Sequence, residues 1–233
     1  MSPRRRLLLF DIDGTLLLSR GRGLQALHAT FQQVFGLDPR PAEIVPHGKT
    51  DPILFEELGA AYGVGGERLE AKLDVVQSVY TARLALLLRD PQALQLKPGV
   101  LQLLQELTLR PDVGLGLVTG NLERTAWLKL EAVRLARFFE TGAFGSDDRE
   151  RAALVRLAVQ RFAAARGSVP ARHVWVIGDT PDDVASGRVN GVRTLAVATG
   201  RHDVAALRRS EPDAVVADLT DTAHVVDILC NAT

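Results

Sequence analysis

The segment LLLFDIDGTLL, residues 7–17, constrains the fold more than any other stretch of the chain. Four apolar residues suited to full burial run directly into Asp11 and Asp13, one residue apart, and then into Gly14 and Thr15. Burying like charges is unfavourable unless something positive compensates them. The apolar run therefore reads as an interior strand that ends where a ligand or ion can reach both carboxylates, and a chemical task is the first expectation.

Other short apolar runs end in the same way: VGLGLV at 113–118, VWVI at 174–177, TLAVA at 194–198 and AVV at 214–216. They read as buried parallel strands. Helical spacing over 121–137, 150–166 and 182–190 alternates with the later runs, which implies an α/β, Rossmann-like three-layer core around a parallel sheet. Between the first two strands the pattern changes. Residues 24–35, 50–62 and 66–89 read as helices, and no convincing strand interrupts them. An α-helical insert is the economical reading, bordered by SRGRG at 19–23 and LKPGV at 96–100, just before a helix over 100–109. The expected division is a core of residues 1–16 and 97–233 and a helical domain of residues 17–96.

Composition narrows the function classes. Lysine plus arginine and aspartate plus glutamate are equal at 28 each in 233 residues, so no global field favours nucleic acid or an anionic membrane. The run after Arg4–Arg6 is too short for a secretory signal, no twenty-residue apolar span occurs, and a single cysteine, Cys230, excludes an internal disulfide framework. A cytoplasmic protein acting on a small molecule is the expectation.

Ligands of open parallel sheets sit beyond the carboxyl ends of the strands. Three polar clusters fall there: Asp11 and Asp13, TGN at 119–121, and GDTPDD at 178–183. Asp11, Asp13, Asp179, Asp182 and Asp183 carry too much negative charge to share a site unpaired. A hard divalent cation with oxygen ligands resolves the repulsion, and Mg²⁺ is the common choice. One carboxylate then remains for nucleophilic attack on phosphorus, while Asp13, facing the same edge because Ile12 points away, can protonate a leaving oxygen. Thr119 offers a hydroxyl, Gly120 a close backbone N–H, and the helix starting near Asn121 aims its positive end at an anion.

DIDGT at 11–15, TGN at 119–121 and GDTPDD at 178–183 resemble motifs I, II and IV of the haloacid dehalogenase superfamily, in the right order, with the helical insert in the position of its C1 cap. The resemblance is strongest to the phosphoglycolate phosphatase type. It implies Asp11 as nucleophile, Asp13 as general acid and base, Thr119 on the phosphoryl group, and Asp179 and Asp183 holding Mg²⁺ with Asp11 and the carbonyl of Asp13. It further implies a phosphatase for small phosphorylated metabolites. Mutase and phosphonatase relatives share the fold, and a phosphate-binding regulatory protein is the alternative from another class. One departure stands out. The family's lysine before the helix 152–166 is absent; Arg151 occupies that slot, with Lys129 as the second candidate.

Simpler readings apply to several residues. Asp182 is expected to be an ordinary first-turn acid after Pro181, and Asn121 either an N-cap or a substrate contact. Thr50 or Asp51 reads as the N-cap of the next helix, which leaves Lys49 and His47 in HGKTDPIL unexplained, so Lys49 is a candidate substrate contact. Arg20 and Arg22 are expected in solvent. His28, His173, His202 and His224 show no metal-ligand spacing, and Trp127 and Trp175 read as core residues.

Overall fold

The structure is a computed structural model that describes residues 5–38 and 44–231; Arg4 of the basic run lies outside them. Strands β1 (Arg6–Phe10), β4 (Val113–Thr119), β5 (Thr141–Phe144), β6 (Val174–Gly178), β7 (Arg193–Val197) and β8 (Ala214–Val216) form one parallel sheet in the order β5-β4-β1-β6-β7-β8. The first strand is thus central. Its last residue, Phe10, is in register with Leu117 of β4 and Ile177 of β6, so three strands end nearly level.

Alternation along these strands fills two layers. Leu8, Phe10, Leu117 and Ile177 face one side, where Leu103, Leu104 and Leu107 of α5 (Val100–Thr108), Ala126 and Leu130 of α6 (Glu123–Ala132) and Leu229 of α10 (Thr222–Cys230) cover them. Leu7, Leu9, Val118 and Val176 face the other, against Leu154, Val155 and Phe162 of α7 (Arg151–Arg166). Helix α8 (Pro181–Val189) follows β6, and the short α9 (Val204–Arg208) follows β7. Trp175 is buried and Trp127 half-buried, in keeping with core positions.

The insert consists of α1 (Arg22–Phe35), α2 (Asp51–Ala61), α3 (Glu67–Glu70) and α4 (Leu73–Leu87). It has its own apolar centre of Phe31, Phe55, Leu58, Tyr80 and Leu84. Its two ends are joined by a feature the sequence does not announce: β2 (Leu17–Leu18) pairs antiparallel with β3 (Gln95–Leu96). Two-residue strands leave no periodic signal. The pattern over 66–89 is broken into α3 and α4, and that over 121–137 stops at Ala132, after which Arg134 takes a positive φ of 60° and a 3₁₀ turn spans Ala136–Phe138.

The return from the insert depends on Gly99, whose φ is 79° and where a Cβ would overlap the Leu219 carbonyl. A positive φ favours glycine, and backbone cannot yield as a flexible side chain does. Gly99→Ala is expected to destabilise the fold by about 2 kcal/mol or more in urea denaturation; an unchanged midpoint would contradict this packing.

Candidate active site

The level strand ends bring the three polar clusters together. Oxygens of Asp11, Asp179 and Asp183 all lie within 4.8 Å of one another, and all three residues are buried. Such proximity needs close backbone approach. A Cβ at Gly14, whose φ is 93°, or at Gly200 would overlap the Asp179 carboxylate. Asp179 Oδ1 accepts a hydrogen bond from Thr15 Oγ1 at 3.0 Å, while its Oδ2 is buried without a partner among the described residues. Asp183 spends one oxygen on a capping box at the start of α8: Oδ2 accepts from the Thr180 backbone N–H at 3.0 Å and from Thr180 Oγ1 at 2.6 Å.

Arg151, the first residue of α7, bridges the cluster. Its Nη2 lies 2.9 Å from Asp11 Oδ1 and also contacts Asp183 Oδ1. One guanidinium facing three carboxylates leaves an excess of negative charge. Burial first, and then the neighbouring aspartates, push the carboxyls of Asp11 and Asp179 well above the usual range, with Arg151 opposing. The unpartnered Asp179 oxygen and the surplus charge fit a divalent cation with hard oxygen ligands.

Asp13 lies apart from that trio. Its Oδ2 accepts from Lys129 Nζ at 2.5 Å and from Asn121 Nδ2 at 2.7 Å, and Oδ1 is buried without a partner among the described residues. Burial works to raise its pKa, but the charge and hydrogen bond of Lys129, with that of Asn121, outweigh it and hold the carboxyl below the usual range. The two candidate cations are thus divided: Arg151 meets Asp11, and the buried Lys129 meets Asp13.

Asn121 does not cap α6. The cap position is Leu122, and Asn121 accepts from Lys129 Nζ at 2.6 Å while donating to Asp13 and to Thr119 Oγ1 at 2.8 Å. Thr119 is fully buried, and because its oxygen accepts from Asn121 its own proton remains for another acceptor. Gly120 lies so close to the insert that a Cβ there would overlap the Lys49 carbonyl. Asp182 is exposed in the first turn of α8, as expected for a helix-start acid. Lys49 borders the cavity, yet its Nζ is 2.7 Å from both oxygens of Glu57. Arg20 donates to Gln95 and Arg22 pairs with Asp90 at 2.7 Å, so neither is simply solvated.

Asp51 is the residue that sequence reasoning underrated. The cap of its own helix is Thr50, whose hydroxyl donates to the Arg149 carbonyl at 3.1 Å. The Asp51 backbone N–H donates to the Gly120 carbonyl at 2.7 Å, and its Oδ2 accepts from the Leu122 N–H at 2.8 Å. A residue of the insert therefore satisfies donors and acceptors of the loop that follows β4. Burial raises its carboxyl to about 6, against the pull of Lys129 and the Leu122 hydrogen bond.

A family model for haloacid dehalogenase-like hydrolases matches residues 6–191. The chain belongs to that family. Among curated relatives, pyrophosphatase PpaX of Oceanobacillus iheyensis is 26% identical over 95% of this chain and 96% of its own length. Phosphoglycolate phosphatase 1 of Pseudomonas aeruginosa is 27% identical over 95% of this chain and 80% of its own. A solved hydrolase from Pseudomonas syringae, 18% identical, superposes with a TM-score of 0.73 over 97% of this chain and 99% of that one, which shows the fold. Among the described residues no helix is long and apolar enough to cross a membrane. This is a haloacid dehalogenase-like hydrolase with a helical insert whose segment 49–51 is hydrogen-bonded to the core.

The buried Asp51 yields a stability prediction. Its folded pKa is raised from 3.8 to about 6, so ionisation costs folding free energy at pH above 6 and none below about 4. Asp51→Asn keeps an acceptor for the Leu122 N–H and is expected to be more stable than the parent at pH 7.5, by up to about 3 kcal/mol. The gap should close as pH falls towards 4, as followed by thermal denaturation across pH; a gap that widens on acidification would refute the assignment.

Proposed function

We propose that the protein is a Mg²⁺-dependent phosphatase that hydrolyses small phosphomonoesters through an aspartyl phosphate on Asp11. The observation that carries the reading is the pairing of Asp11 with Arg151, beside Asp179 and Asp183, with Asp13 two residues further on under Lys129. The curated relatives named above as a pyrophosphatase and a phosphoglycolate phosphatase both act on phosphoryl groups by name, which agrees with it.

On this reading the free oxygen of Asp11 attacks phosphorus in line, forming an O–P bond as the bond to the leaving oxygen breaks. Asp13 gives that oxygen its proton. The incoming dianion beside Asp13 raises the carboxyl's proton affinity and so counteracts Lys129 at the moment a proton is needed. In the second half Asp13 takes a proton from water, whose oxygen attacks phosphorus and releases Asp11. Arg151, always charged, keeps Asp11 aligned and faces the equatorial oxygens, to which the Thr119 hydroxyl and the Gly120 N–H also donate. Asp11, Asp179, Asp183 and the carbonyl of Asp13 would hold Mg²⁺, which when bound supplies charge neutralisation for the phosphoryl oxygens. The insert acts as the cap, excluding bulk water while segment 49–51 rests on the phosphate loop.

Incubation with para-nitrophenyl phosphate and Mg²⁺ tests the reading. Turnover is expected, lost on EDTA treatment and restored by added Mg²⁺. Asp11→Asn should lower kcat by roughly 10³-fold or more while the far-UV spectrum stays unchanged. Full activity in that variant would remove Asp11 as nucleophile and the proposal with it.

A further inference from the structure

The cavity between insert and core has two unlike halves. Its volume is about 420 Å³, within the ~300–1,000 Å³ range of pockets that enclose drug-sized ligands. The core half carries the carboxylates, Thr119, Lys129 and Arg151. The insert half carries an apolar wall: Leu18 on β2, Leu24 and Leu27 on α1, Leu54 on α2 and Tyr80 on α4 line it, with Ser19, Arg20, His47, Lys49 and Asp51 around them. Leu27, Leu54 and Tyr80 are buried, and the Tyr80 ring packs edge-on against Phe55 with centroids 5.6 Å apart. This wall is therefore the inner surface of the insert's own apolar centre, held in place by packing.

Of the cations near that half, Lys49 is neutralised by both oxygens of Glu57, while Arg20 donates to the Gln95 side chain and Lys97 to the Thr199 carbonyl. Burial, together with Arg201 and His202, pushes the His47 pKa down, and Arg201 itself is exposed at the rim. On the leucine wall itself a terminal phosphate or carboxylate would be unfavourable, whereas a hydrocarbon group is suited to it.

We propose that the natural leaving group is an apolar alcohol: the substrate is a phosphomonoester whose organic part is a hydrocarbon ring or branched chain seated on Leu18, Leu24, Leu27, Leu54 and Tyr80. The inference rests on the phosphatase reading and names the substrate class of the same site. In apolar pockets a single methylene changes kcat/KM about 10- to 200-fold, so a ring-sized group gives a measurable preference.

The test compares kcat/KM for benzyl phosphate, ethyl phosphate, phosphoglycolate and inorganic pyrophosphate, each with Mg²⁺. Benzyl and ethyl alcohols are leaving groups of similar basicity, so their ratio reports binding of the organic part. Benzyl phosphate is expected to exceed each of the others at least ten-fold, chiefly through KM. Leu24→Ser, at a half-buried position, and Leu18→Ser, at one 42% exposed, should each bring the benzyl-to-ethyl ratio several-fold closer to one. A ten-fold preference for phosphoglycolate or pyrophosphate overturns the proposal, as does an unchanged ratio in both variants. Turnover of ethyl phosphate or phosphoglycolate without a benzyl preference leaves the phosphatase reading standing and removes this one; no turnover of any of the four removes both.

Discussion

The structure depends on three buried carboxylates, from two adjacent strand ends and the first turn of α8, meeting beside one guanidinium. A sheet covered on both faces has no interior room for charge, so polar groups can gather only where the strands stop. Because β1 lies between β4 and β6 with matched register, Asp11, Thr119 and Asp179 leave the sheet side by side. Arg151 cannot balance Asp11, Asp179 and Asp183 alone, and burial first, then the neighbouring aspartates, raises the pKa of Asp11 and Asp179. The positions that surround the deficit, Gly14 and Gly200 against Asp179, have no side chain because the carboxylate occupies that space.

The insert is tied to this edge by few but directed contacts. Asp51 offers its N–H to the carbonyl of Gly120 and its carboxylate to the N–H of Leu122, so one residue serves both polarities of the loop after β4. At the other end, Lys97 Nζ donates to the Thr199 carbonyl at 2.5 Å, and Thr199 Oγ1 donates to the Gly14 carbonyl at 2.7 Å. The short β2–β3 pair beside Lys97 thereby connects the root of the insert to the turn that carries Asp13. These bonds join the root of the insert to the acidic edge.

Much of this was legible because it followed from periodicity and strand-end chemistry. The first buried strand, the helical insert, and the convergence of Asp11, Thr119, Asp179 and Asp183 all come from short apolar runs ending in polar clusters, whereas the strand order does not. What escaped had no such signal. β5 is the four residues TGAF, without an apolar run, and becomes a strand by pairing with β4. The β2–β3 pair is two residues long on each side and exists only because the insert brings its own ends together. Asp51 looked like a local helix-start residue because Thr50 and Pro52 explain it locally; its real partners, Gly120 and Leu122, are about seventy positions away. Asn121 was readable as a cap, yet its amide is fully used in joining Thr119, Asp13 and Lys129.

The division of the two buried cations follows from their chemistry and from the helices that carry them. Arg151 is the first residue of α7, where a helix dipole disfavours positive charge, and its contacts with Asp11 and Asp183 oppose that effect. A planar guanidinium can serve two carboxylates at once and does not surrender its proton, which is what the proposed nucleophile needs of its partner. Lys129 sits in the last turn of α6, where the dipole favours a cation, and presents a compact charge to one oxygen of Asp13. In the proposed reaction Asp13 first gives and then takes a proton, which needs a neighbour whose influence a bound dianion can offset. A single point charge on one oxygen meets that condition, whereas a fork gripping both would hold the carboxylate ionised throughout. Arg151 thus meets the electrostatic demand of the proposed nucleophile, Asp11, and Lys129 stands beside the proposed acid and base, Asp13.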